Sequence, residues 1–137
     1  MNEISIAIKI SRFSFASEYL TAELNLQPTH SHCQGEQYSL KTAKGVVNKT
    51  YAYNYWEFRH EFKTAEWVQP LIDGFVKEII YPRKEVLKAL SNQCALEFFV
   101  GIDYYGIVNP SFHFESELIT ILSDIGAELD MDLYCFK

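Results

Sequence analysis

The sequence predicts a single α+β domain, a sandwich of one mostly antiparallel or mixed sheet of about five to six strands with three to four helices. Three observations point there. Ile4, Ile6, Ile8 and Ile10 alternate with Ser5, Ala7 and Lys9, the period-two mark of a half-buried strand. Val68, Leu71, Ile72, Phe75, Val76 and Ile79 recur at helical spacing. Across the 137 residues these two pattern types follow one another in the order β-α-(β)β-α-α-β-β-α-β. A chain of this length buries roughly two thirds of its unfolded surface, enough for one core without staples.

The elements follow in order. After the first strand, Ser17 is placed to cap a helix over about residues 18 to 26, with Leu20 and Leu24 inward. Residues 27 to 37 read as a loop broken by Pro28 and turned by Gly35. A short strand near Tyr38 to Leu40 and a turn at Lys44-Gly45 come next. Residues 46 to 62 read as one long strand whose parity switches near Tyr55-Trp56. Tyr51, Tyr53 and Tyr55 share one face, and Trp56, Phe58, His60 and Phe62 share the other, so a bulge or a change of cover is expected there. The helix that starts at Thr64 or Pro70 should break at Tyr81-Pro82, because a residue before proline avoids helical dihedrals. A shorter helix carries Val86, Leu87 and Leu90 inward. Leu96, Phe98, Val100 and Ile102 form another strand, and Phe112 with Phe114 ends a further short one. Ser116 is placed to cap a helix that Gly126 stops. The last strand sets Ala127, Leu129, Met131, Leu133 and Cys135 inward against Glu128, Asp130, Asp132 and Tyr134 outward. Phe13-Ser-Phe15-Ala-Ser17-Glu18 echoes Phe112-His-Phe114-Glu-Ser116-Glu117, which hints at two repeated βα halves.

Composition narrows the function classes. The formal net charge is −6 and the sequence pI about 5.2. That weighs against nucleic acid, whose phosphates need a positive stripe, and permits a basic protein partner, although moderate acidity also simply keeps a protein soluble. Aromatic residues make up 15% of the chain, more than a small core uses, so some belong at a rim or an interface. The three cysteines, Cys33, Cys94 and Cys135, have no paired spacing, and the opening residues carry neither a basic segment nor a long apolar one. A reducing, cytoplasmic setting is the expectation, with no membrane span.

The segment Leu24 to Gly35 concentrates titratable side chains: Pro28, His30, His32, Cys33 and Gly35 lie within it. Together with an N-terminal strand, Leu26-x-Pro28, Trp56, two following helices and the ending Ile125-Gly-Ala-Glu-Leu-Asp-Met-Asp-Leu-Tyr134, it resembles the bacterial domain-of-unknown-function family 4279. The resemblance covers nearly the whole chain. It implies one small stand-alone domain and brings no established activity. Some small proteins of this general type act as immunity proteins against toxins, an analogy only.

No catalytic set assembles. Ser-His-Asp, a phosphate-cradling glycine loop and H-E-x-x-H are absent from the sequence, and His60-Glu61 lacks a second histidine. Cys33 beside His30 or His32 has no orienting third residue, so it makes a poor nucleophile. His30, His32 and Cys33 are one cluster where structural zinc wants two paired knuckles, so no metal or cofactor is expected. Glu128, Asp130 and Asp132 on one strand face are a solvated surface, a partner surface or a site for a hard cation, and Tyr51, Tyr53 and Tyr55 would extend a partner surface with aromatic area. The first reading is therefore a non-enzymatic module that binds a basic protein through this acidic and aromatic surface. The second is a small-ligand or metal-binding protein with its site at the 28–35 loop, to which His60 or His113 contributes. The third is a homodimer formed through an edge strand.

Overall fold

The computed structural model describes residues 1–136. Strand β1 (Asn2–Ser11) runs through the middle of a five-stranded sheet and is antiparallel to both neighbours, β5 (Tyr55–Thr64) and β6 (Ala95–Tyr104). The order across the sheet is β2-β5-β1-β6-β7. The outer strands are β2 (His30–His32), antiparallel to β5, and β7 (Ala127–Cys135), parallel to β6. A separate hairpin, β3 (Gln37–Thr42) with β4 (Gly45–Thr50), stands outside this sheet, whose five strands fall within the expected five to six. The architecture is the expected α+β domain with a mixed sheet.

Register explains why β1 carries four isoleucines. Ile4, Ile6, Ile8 and Ile10 stand opposite Phe62, His60, Phe58 and Trp56 on one side and Ile102, Val100, Phe98 and Leu96 on the other. One sheet face is thus apolar across three strands, and the helices pack on it. Leu20 and Leu24 of α1 (Ser17–Leu24), Ile72 and Phe75 of α2 (Val68–Phe75), Leu87 of α3 (Lys84–Leu90) and Ile121 of α4 (Ser116–Asp124) close the core. Trp56 is fully buried there, and its indole N–H donates to Thr21 Oγ1 at 3.1 Å. No helix among the described residues is long and apolar enough to cross a membrane.

Four sequence expectations are corrected. The long strand over residues 46 to 62 is two strands, β4 and β5, with residues 51–54 leaving the sheet between them. No bulge is needed, because the parity change falls where the strand ends. The helix does not break at Tyr81-Pro82. It passes through a π turn (Val76–Ile80) and a 3₁₀ turn (Tyr81–Arg83) into α3. Pro82 has no N–H to give the carbonyl of Glu78, four residues back. Arg83 compensates, donating from Nη1 to the Ile79 and Glu78 carbonyls at 3.1 and 3.5 Å, and from Nε to the Leu24 carbonyl at 2.6 Å. Ser17 and Ser116 begin their helices rather than cap them. Ala16 and Glu115 hold the cap positions, and neither makes a side-chain cap hydrogen bond. Phe112 and Phe114 lie in irregular chain rather than a strand, packed on the core, with Trp67 Nε1 donating to the Ser111 carbonyl at 3.0 Å.

The two βα segments that share the serine echo are used differently. The strand after α1 that joins the sheet beside β1 is antiparallel to it, whereas β7 after α4 is parallel to β6.

Candidate partner-binding face

Helices cover one face of the sheet only. The other face is set by the intervening residues of each strand, and the register brings distant parts of the chain onto it. Beside one another lie His30 and His32 of β2, Tyr55, Glu57 and Arg59 of β5, Ala7 and Lys9 of β1, Glu97 and Phe99 of β6, and Glu128, Asp130 and Asp132 of β7.

The centre of this face is ordered by charge and by one aromatic ring. Glu57 accepts hydrogen bonds from the Tyr55 hydroxyl at 2.5 Å and from Arg59 Nε at 2.6 Å, and is only 8% exposed. Burial alone would raise the Glu57 carboxyl, but the bonds from Arg59 and Tyr55 outweigh it and hold the group below its ordinary value. Burial and the same carboxylate push the Tyr55 hydroxyl far up, so it stays a donor. Arg59 is held further up still by Glu57, against the effect of burial. The Phe99 ring sits among the cations, with Lys9 Nζ 3.7 Å and Arg59 Cζ 5.1 Å from its centroid. Gly101 lets the ring lie flat, since a Cβ there would stand 3.0 Å from two of its carbons. A hollow of about 510 Å³ opens beside the ring, lined by Ser5, Arg59, Glu61, Phe99 and Asp132 among others.

Charge is divided across the face. On β1 and β5 the cations Lys9, Arg59 and Lys63 are balanced by Glu3, Glu57 and Glu61, whereas the residues that β6 and β7 present include Glu97, Asp103, Glu128, Asp130 and Asp132 and no cation. Burial raises the Glu97 carboxyl, Lys9 opposes this, and Asp130 and Glu128 beside it add to the rise. Glu128, Asp130 and Asp132 are all exposed, and none forms an ion pair among the described residues.

The predicted site residues separate into groups. Tyr55 lies on the open face. Tyr51 and Tyr53 precede the strand: Tyr51 stacks on His32 with centroids 3.5 Å apart, and Tyr53 lies under the Arg12 guanidinium. His32 stacks in turn on Tyr55 with centroids 5.1 Å apart, and Tyr53 lines a hollow with Tyr55, Glu97 and Glu128, so the three tyrosines meet at this end of the face although only Tyr55 lies in the strand. The 28–35 loop is tied to the sheet by its backbone. Thr29 N–H donates to the Glu57 carbonyl at 2.8 Å, Gly35 N–H to the Tyr51 carbonyl at 2.9 Å, and Gln34 N–H to Asn54 Oδ1 at 2.7 Å. Gly35 holds a φ of +88°, which favours glycine. Pro28 starts this loop where α1 has already ended at Asn25. His60 is on the helix-covered face against Phe58 and Phe75, away from His30 and His32. Burial lowers the His32 imidazole, with His30 adding to the effect. Cys33 is exposed, and its hydrogen bond with Glu36 raises the thiol, the wrong direction for a nucleophile. Among the described residues, no group of three or more His, Cys, Asp and Glu side chains converges as a metal site.

Sequence reasoning missed Lys9, Glu57, Arg59, Glu97 and Phe99 as a group. One local signal was available. Phe99 is out of phase in the Leu96, Phe98, Val100, Ile102 alternation, a large apolar residue assigned to the solvent side.

This geometry defines a two-layer α+β domain with an open, charge-divided sheet face. The chain matches the domain of unknown function DUF4279 over residues 2–136 and belongs to that family. No curated protein and no solved structure matches it.

Proposed function

We propose that the protein is a non-enzymatic binding module that takes a basic protein on the acidic half of its open sheet face. One observation carries this reading: Glu128, Asp130 and Asp132 stand exposed, with no ion pair to any of the described residues, beside Glu97 on a face no helix covers. Crowded carboxylates of this kind steer a cationic partner and speed its association. Phe99 and Tyr55 supply apolar and aromatic area next to them. The same charge repels the phosphates of nucleic acid. Inhibition of a basic toxin, in the manner of an immunity protein, is the most concrete version, and the three free thiols fit a cytoplasmic setting.

The test compares wild-type protein with a Glu128→Lys/Asp130→Lys/Asp132→Lys variant as bait in host lysate. A protein retained by the wild type, lost by the folded variant and released by raised salt supports the reading. Retention that the triple variant keeps would place the partner on another surface.

A further inference from the structure

β7 is an open sheet edge. Among the described residues it pairs with β6 alone, so the other side of its backbone offers a row of unused N–H and C=O groups. It is nine residues long, about 30 Å at the usual rise. Proteins blunt such edges with proline, lysine or a bulge, and β7 has no proline or lysine and keeps residue-for-residue register with β6 from Ala127 to Cys135. Both of its side-chain rows are also accessible. Glu128, Asp130 and Asp132 line the open face, and on the helix side Leu129 and Leu133 remain 41% and 38% exposed because α4 does not cover the outer strand fully.

We propose that β7 accepts an added strand from another protein, an extended segment alternating Lys or Arg with apolar residues. The proposal rests on the acidic-face reading above and makes its contact specific. A strand laid against β7 satisfies the free backbone groups, places its basic row opposite Glu128, Asp130 and Asp132, and places its apolar row beside Leu129, Met131 and Leu133. Charge also selects the occupant. Pairing of β7 with β7 of a second copy would set carboxylates against carboxylates, and like charges directly opposite destabilise a sheet. The acids thus protect the edge from self-association while leaving it open to a basic strand.

The probes are three capped nonapeptides: one alternating lysine and valine, one alternating glutamate and valine, and the lysine peptide N-methylated along one backbone edge. Binding is followed by calorimetry, and β7 amides by hydrogen exchange. The lysine peptide should bind and slow exchange of the outward amides of β7. The glutamate peptide, the N-methylated peptide and an Asp130→Lys protein should each bind at least about tenfold more weakly, a loss of about 1.4 kcal/mol. Asp130 is exposed, so that variant keeps its fold. Equal binding of the N-methylated peptide would overturn strand addition and leave the acidic face as a purely side-chain surface. Failure of the lysine peptide to bind would overturn it as well, with lysate retention still deciding the broader reading. Protection of β7 amides in a dimer of the protein alone would assign the edge to a second copy instead.

Discussion

Glu57 is the residue on which the open face depends. It is nearly buried on a side of the sheet that no helix covers, and it stays ionised there because Tyr55 and Arg59 both donate to it. Replacing it by glutamine keeps the shape, removes the charge and leaves the Arg59 guanidinium without its partner. Such a change costs about 1–3 kcal/mol, read as a lowered urea midpoint with an unchanged slope. The pH dependence has a definite sign. The carboxyl lies below its ordinary 4.5 in the folded protein, so its contribution is complete above that pH and is lost as the pH falls through the lowered value. Glu97, raised by burial and by its acidic neighbours, works in the opposite direction, since its penalty is relieved as the pH falls. Urea titrations of the wild type and Glu57→Gln should therefore differ most at neutral pH and converge in acid. A gap that stayed constant down to acid pH would show that the Glu57 charge does not support the fold. At this scale the sequence was only partly legible. The period-two pattern separated Glu57 and Arg59 from Trp56 and Phe58, but it could not say that the polar row would itself become buried by its own ion pair.

Elements were legible where a side-chain period repeats without interruption. β1, β6 and β7 and the apolar face of α2 follow from alternation or helical spacing alone. The errors came where the pattern runs on and the backbone does not. Tyr51, Tyr53 and Tyr55 keep strand parity through Ala52 and Asn54, yet Asn54 turns the chain. Its side chain accepts from Gln34 N–H and donates to the Phe13 carbonyl, and its own carbonyl takes the Arg12 N–H. The reverse error occurred at Pro82, where a helix breaker is tolerated because Arg83 satisfies carbonyls from two helical segments at once. Arg83→Leu should then destabilise the protein by about 1–3 kcal/mol, the cost of leaving buried carbonyls unpaired. Hydrogen exchange should accelerate first across residues 76–90, with β1 and β6 protected as before. Uniform acceleration through the sheet would mean that Arg83 holds the whole core rather than this helical junction.

The whole molecule is one-sided: a helix layer, a sheet and then an open face, with a hairpin standing apart. Strand order is a non-local property, so nothing in the chain announced that the 28–35 loop and the C-terminal strand would meet opposite edges of one sheet. The hairpin shows how little of the molecule depends on some of its parts. Nearly every residue of β3 and β4 is exposed, including Leu40, Val46 and Val47. It joins the rest through a stack of Tyr38 on Tyr51 and the backbone pairs of Gly35 and Glu36 with Tyr51. Segments with few buried contacts lie at the low end of local stability. Replacing residues 37–50 by a short glycine turn between Glu36 and Tyr51 should therefore leave the thermal midpoint within about 4 °C of the parent, roughly the shift that 1 kcal/mol produces in a domain of this size. The far-ultraviolet spectrum should lose only the contribution of two short strands. A much larger fall would mean that the hairpin braces His32 and Tyr51 against the sheet edge. The hairpin also carries Lys41, Lys44 and Lys49 and no acidic residue, so its removal makes the rest of the chain more acidic. If the acidic half of the open face is the docking surface, the shortened protein should retain the same basic partner at least as strongly as the parent.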